Sequence, residues 1–188
     1  MKMGWIVAIL VVVGAGILLV PIVVKNGLID KQETVAEAWS QIETQLQRRG
    51  DLVPNLVTTV KGYAAHEEKI FTEVAEARSR LIAAGGPSAK AQASSVLSGM
   101  LGRLLAVSES YPQLKADSTF IRLQDELAGT ENRISVARTR YNKSVKIFNA
   151  AIRKFPGSMF APGMGLESAE YYSPPAVEAL QTPPEVTF

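Results

Sequence analysis

The single histidine of the chain, His66, stands beside Glu67 and Glu68, the nearest approach in this sequence to a catalytic or metal-binding set. A metal site needs further ligands at fixed spacing, and neither a second histidine nor any cysteine supplies them. His66 therefore reads as a cap or turn residue, and a hydrolase built on it and neighbouring acids is the weaker alternative. Asp125 and Glu126 are adjacent, so on a helix they point to different faces and cannot work on one substrate. Neither a glycine-rich phosphate loop nor a nucleophile elbow occurs. No catalytic residue, cofactor or metal ligand is assigned, and the chain reads as non-enzymatic.

Two other sets could bind rather than react. Between Arg133 and Lys154 lie seven basic residues and no acid: Arg133, Arg138, Arg140, Lys143, Lys146, Arg153 and Lys154. Cations near a helix C-terminus are favoured by its macrodipole, which is one account of them. The other is that this helix descends to a bilayer and sets Arg153, Lys154, Phe155, Met159 and Phe160 at the headgroups. Each charge there contributes about 1 kcal/mol on an anionic leaflet. A nucleic-acid partner is not expected: without Lys2 and Lys25 the 20 basic residues fall to 18, balanced by 18 acidic ones. The second set is polar residues beside apolar stripes: Gln45, Arg49, Asn55, Arg78, Glu131, Arg138, Asn142 and Asn149. Asn142 and Asn149 are seven apart and form a ladder on one helix face. Such groups fix register and orientation in a helical bundle; alternatively they form a surface for a protein partner.

The element that would bring these sets to a membrane is at the N-terminus. Gly4 to Val24 is a run of 21 uncharged residues, through Trp5, Gly14, Gly16 and Pro21, in a chain that is 47% hydrophobic overall. At 1.5 Å per residue it reaches roughly 30 Å, the thickness of a hydrocarbon core. A lipoprotein signal fails for want of cysteine. A cleaved signal peptide fails because the run continues well past the small residues around Ala15. Residues 1–25 are expected to be a retained single-pass transmembrane anchor, hence a cell-membrane protein. The flanking charges, Lys2 against Lys25 and Lys31, differ by one and leave the side of the bundle open.

After a break at Asn26–Gly27, Val35, Trp39, Ile42, Leu46, Val53, Leu56 and Val60 form a heptad-like stripe from Gln32 to Tyr63. Pro54 cannot donate to the Gly50 carbonyl, so the helix either kinks there, the favoured reading, or Asp51 caps a new one. A second helix through Ile70, Val74, Ala77 and Leu81 closes at Gly85-Gly86-Pro87. A third, through Leu97, Leu101 and Leu104, ends before Tyr111-Pro112. The fourth carries Phe120, Leu127, Ile134, Tyr141, Phe148 and Phe155 at intervals of seven, with Asp117 or Ser118 as its N-cap. Six of ten prolines lie between Pro156 and Pro184, so residues 157–188 are expected to be an extended or mobile tail. The fold class is all-α: an N-terminal transmembrane helix, then an antiparallel up-down bundle over residues 26–156 with long first and last helices. Helices two and three cover only the distal half of the long pair. The membrane-proximal half is left as a two-helix stalk with apolar surface suited to homo-oligomerisation.

These residues carry a resemblance. Ala38-Trp-Ser-Gln-Ile-Glu-Thr-Gln-Leu-Gln-Arg-Arg-Gly-Asp-Leu-Val-Pro-Asn-Leu-Val57 is followed by Gly62-Tyr-Ala64, His66-Glu67 and Glu76-Ala-Arg78. Then come Tyr111-Pro-Gln-Leu-Lys115, Thr130-Glu-Asn132, Arg138, Tyr141-Asn142, Phe148-Asn149 and Phe155-Pro156. Over residues 26–160 this order resembles the LemA family; Gly163 to Glu170 departs from its pattern. The resemblance implies an N-terminally anchored antiparallel helical bundle for which no enzymatic activity is established. The expectation is a membrane-anchored scaffold or adaptor, with the lipid bilayer, further copies of itself and an unidentified protein as partners. The alternative is direct membrane binding or remodelling through the basic end of the fourth helix.

Overall fold

A computed structural model describes residues 2–173, with side chains described from residue 19 on. The elements are α1 (Lys2–Lys61), α2 (Glu68–Ala83), α3 (Pro87–Ser108), α4 (Pro112–Lys115), α5 (Ser118–Arg153), α6 (Gly157–Phe160) and a 3-10 turn at Pro162–Met164. No strand occurs among the described residues. The chain divides into two compact units, one of residues 1–41 with 139–169, the other of residues 42–138 with the segment from Glu170 on.

The second unit is the helical bundle. Its core is the set of stripe residues from each helix: Ile42, Leu56 and Val60 of α1, Val74 of α2, Leu97 and Leu104 of α3, and Phe120 of α5 are almost fully buried. Pairings fix the helix directions. Arg49 meets Glu131, Arg48 meets Glu126, and the Tyr63 hydroxyl donates to Asp117 at 2.9 Å, so α1 and α5 run antiparallel here. Arg78 reaches Gly50 while Lys61 lies over the Phe71 ring at 5.2 Å, so α2 runs back along α1. The reversal from α2 to α3 uses Gly86 at φ +78°, a left-handed backbone that favours glycine, and Pro87 opens α3 where its missing N–H costs nothing.

The expected start of the long last helix is found: Asp117 Oδ1 accepts from the Phe120 N–H at 2.9 Å. That bond, with the Tyr63 hydroxyl second, holds the Asp117 carboxyl below the usual carboxylate range. The short helix α4, whose Leu114 is fully buried, was not foreseen, since four residues give no periodicity to read.

The first unit is built only from the N-terminal part of α1, the end of α5, α6 and the 3-10 turn. Leu28, Ala38, Tyr141, Val145, Phe148 and Ile152 are buried in it, and the Trp39 and Tyr141 rings meet at 5.4 Å, tilted by 52°. Gly157 shows how tightly α6 is seated. A Cβ there would overlap the Ala151 carbonyl oxygen and lie 3.4 Å from Leu28 Cδ2, so only glycine allows this approach.

Two expectations and one alternative need correction. The break at Asn26–Gly27 is absent: α1 is continuous, and Lys31 Nζ donates to the Gly27 carbonyl at 3.0 Å. One glycine costs a helix interior only about 1 kcal/mol, which burial of Leu28 one residue later offsets. Asp51 opens no new helix; it lies inside α1 and accepts from Gln47 at 3.0 Å. The tail is not wholly extended or mobile. Ala161 and Tyr172 are buried, and the Asn149 side chain both donates to the Ala169 carbonyl and accepts from the Ala169 N–H, each at 2.8 Å. Satisfied backbone groups replace the missing apolar run in ordering residues 157–173. The tail from residue 174 on lies outside the described residues.

Candidate functional site

Pro54 and Arg78 belong to one device. A proline at position 54 leaves the carbonyl of Gly50 without its helical donor. Gly50 is buried, and Arg78 Nε of α2 donates to that oxygen at 2.6 Å. A side chain thus replaces the absent backbone N–H, and α1 continues through the proline. Arg78 was foreseen as a polar residue beside a stripe, but its partner was not.

The other polar candidates separate into distinct settings. Arg49 is only 5% exposed and donates through Nη1 to the Glu131 carboxylate, whose side chain is 53% exposed. Arg49 Nε and, one turn earlier, Gln45 Oε1 are buried with no hydrogen-bond partner among the described residues. Asn149 is buried in the clamp on Ala169, whereas Asn142 on the same ladder is half-buried. Asn55 is exposed, so it is no buried register group. Arg138 is exposed and stands beside Glu131, Ser135 and Tyr172.

That last grouping is a groove on the bundle unit with a volume of about 290 Å³. Ser94, Ser95 and Ser98 of α3 face Glu131, Ser135 and Arg138 of α5 across it, and Tyr172 closes one side. Each helix contributes one face over two turns, residues 91–98 and 131–138, and the small side chains of α3 leave the space open. Sequence reasoning found Glu131 and Arg138 but missed the serines and Tyr172. The available signal was Ser94 and Ser98, four apart and so on one helix face, with Ser95 beside them.

Burial pushes the Tyr172 phenol above the ordinary tyrosine value; the neighbouring Glu131 carboxylate adds to this, while a hydrogen bond with Ser94 and the charges of Arg138 and Arg49 oppose it. The unfolded chain, with a phenol near about 10, then releases its proton before the native protein does. Stability supplied by the protonated Tyr172 is therefore complete below about pH 10 and is lost as pH rises through the native value. Unfolding free energies measured at several alkaline pH values are expected to fall less steeply for Tyr172→Phe than for the unsubstituted chain. Tyr63, raised by its bond to Asp117, contributes to both proteins and cancels in the comparison.

At the end of α5, Arg153 and Lys154 are exposed, Phe155 is 81% exposed, Met159 68%, and Phe160 half-buried. Phe155 keeps the heptad phase but lies beyond the last helical residue, Arg153, so it does not join the core. The expected anchor falls mostly outside the described side chains, Gly4, Trp5, Gly14 and Gly16 among them, while Pro21 and Val24 are half-buried on α1. Among the described residues no helix is long and apolar enough to cross a membrane, and none of their His, Asp and Glu groups could hold a metal ion. His66 is exposed in the α1–α2 turn.

The LemA family model matches residues 38–188, which includes the segment from Gly163 to Glu170. Magnetosome protein MamQ of Magnetospirillum gryphiswaldense is 29% identical over 173 aligned residues, covering 78% of this chain and 64% of that protein. Magnetosome protein MamQ 2 of Paramagnetospirillum magneticum is 28% identical with the same coverage. Protein LemA of Metamycoplasma hominis is 23% identical over 157 residues, 83% of this chain and 72% of that one. The chain thus spans about 64% of the length of the magnetosome proteins it matches.

Proposed function

Because the chain belongs to the LemA family, we propose that it is a membrane-anchored, non-enzymatic helical scaffold or adaptor, acting through self-association or protein partners at the membrane. The observation that carries this reading is the continuity of α1 from Lys2 to Lys61. The uncharged run from Gly4 to Val24 and the first helix of the bundle belong to one helix, α1, so an anchor formed by the run leads into the bundle without an intervening loop. The unit containing the run is otherwise only the end of α5 with its short α6 and 3-10 turn, which leaves Ile29 and Ile147 exposed for contact with another chain.

A second reading, direct lipid binding, is favoured by the seating of α6. Gly157 lies against Leu28, four residues and so about 6 Å along the helix from Val24. If the run spans a bilayer, the exposed pair Phe155 and Met159, flanked by Arg153 and Lys154, stands at headgroup level, where basic and apolar residues together suit an anionic surface.

Alkaline carbonate extraction tests the anchor: the full chain is expected to stay in the membrane pellet, and its release into the supernatant would overturn the proposal. Removing residues 1–25 separates the two readings. A scaffold held only by its anchor loses all association with anionic vesicles, whereas a chain whose α5–α6 turn engages lipid retains part of it in low salt. Protease accessibility of a C-terminal tag in intact and opened cells then assigns the side of the bundle.

A further inference from the structure

The unit formed by residues 1–41 with 139–169 carries its charges on two separate edges. Asp30, Glu33 and Glu37 fall three and four apart, so they share one face of α1. All three are exposed, while Leu28, Val35 and Ala38 bury the opposite face. Lys31, the one base between residues 26 and 41, is drawn to the Gly27 carbonyl at 3.0 Å. The end of α5 is the reverse. Arg140, Lys143, Ile147 and Lys154, at steps of three, four and seven, share an exposed face away from the buried Tyr141, Val145, Phe148 and Ile152. Lys154, one residue past the helix, keeps this phase because its N–H still donates to the Ala150 carbonyl. No acid occurs from Thr139 to Lys154. In the bundle unit opposite charges pair between helices, Arg48 with Glu126 and Arg103 with Glu73, but none of these six charges joins an ion pair among the described residues.

The two edges are also matched in height. Trp39 meets Tyr141, and Glu37 lies two residues before the one while Lys143 lies two after the other, the same direction on antiparallel helices. Leu28 meets the turn at Gly157, with Asp30 two residues after Leu28 and Lys154 three before Gly157. Within one copy the edges face apart and cannot pair. Between copies held at one depth by a shared kind of anchor, the acidic edge of one stands level with the basic edge of the next.

We infer that copies of this chain dock edge to edge in the membrane plane, the Asp30, Glu33 and Glu37 face of one against the Arg140, Lys143 and Lys154 face of the next. This rests on the anchored, self-associating reading above and names its interface. Complementary charge sets the register, and Ile147, 47% exposed amid the bases, is covered by the contact. The contact joins two different faces, so a pair still has one free edge of each sign and the array extends beyond a dimer. Exposed ion pairs are individually weak, and the high local concentration that anchoring provides makes them sufficient. A bilayer is a poorer occupant of the basic face, which rises about 20 Å along α5 from Lys154 to Arg140, so lipid beside Lys154 leaves the rest open.

The test uses the full chain in neutral phosphatidylcholine vesicles, treated with a carbodiimide, which joins a carboxylate to an amine where the two touch. A ladder of multimers above the dimer is expected in low salt. It should fade in 1 M salt, where the screening length falls to about 3 Å. The triple variants Asp30→Lys, Glu33→Lys, Glu37→Lys and Arg140→Glu, Lys143→Glu, Lys154→Glu each place like charges on both edges, and each alone is expected to stay monomeric with unchanged circular dichroism. Mixed in one vesicle they present complementary edges again, and the ladder is expected to return. A ladder untouched by either triple variant, a product that stops at the dimer, or no recovery on mixing overturns this interface while leaving self-association in place. An unsubstituted chain that gives no multimer overturns both, as it would if the partner of either edge were a different protein.

Discussion

Phe120→Ala is expected to lower the unfolding free energy by about 3–5 kcal/mol, whereas Phe155→Ala changes it by no more than about 0.5 kcal/mol. The two phenylalanines are of the same type and fall on the same seven-residue ladder. Phe120 is 1% exposed, on the first turn of α5 and directly bonded by its N–H to the Asp117 cap. Removing its ring costs the transfer free energy of the lost surface plus the cost of the cavity left in the core of the unit. Phe155 follows the last helical residue and is already in solvent, so truncation returns no buried surface to water. Denaturant titration of the full chain, followed by circular dichroism, checks both. A large loss for Phe155→Ala would mean that its ring is covered, by lipid or by another copy, in the preparation measured.

That pair also shows what the sequence makes legible. Periodicity reports which face of a helix is apolar, and it placed Phe120, Leu127, Ile134, Tyr141 and Phe148 in the core correctly. It says nothing of where the helix stops, and Phe155 was carried along by its phase. The helical bundle, the Asp117 cap and the Gly86–Pro87 reversal were all readable, because each rests on local chemistry or on spacing. The order of residues 157–173 was not. It depends on Asn149 holding both backbone groups of Ala169 and on the fit of Gly157 against Ala151, and neither leaves a mark on composition. Polar residues near the stripes were found as a class, but their partners lie on other helices: Arg49 with Glu131 is a contact across 82 residues. The groove needed three separate segments to meet, and only its charged members stood out beforehand.

The second large effect concerns Arg78, and it is expected to depend on Pro54. Arg78→Ala leaves the Gly50 carbonyl buried with no donor, since Pro54 has none to offer; the loss of a charge-assisted bond and the desolvated oxygen together cost about 2–3 kcal/mol. Pro54 is exposed, so alanine at that position meets no steric obstacle and brings an N–H one helical turn from the Gly50 oxygen. In the Pro54→Ala background the helix supplies its own donor, and Arg78→Ala is expected to cost only about 1 kcal/mol. The difference between the two costs is the coupling between proline and arginine, and a double-mutant cycle of denaturant titrations reads it directly. Equal cost in both backgrounds would show that Arg78 acts elsewhere and that the bond to Gly50 contributes nothing measurable. A coupling above about 1 kcal/mol would explain why the two residues occur together: the proline removes a donor that only a side chain from α2 can replace, so α1 is completed there only when α2 is docked against it.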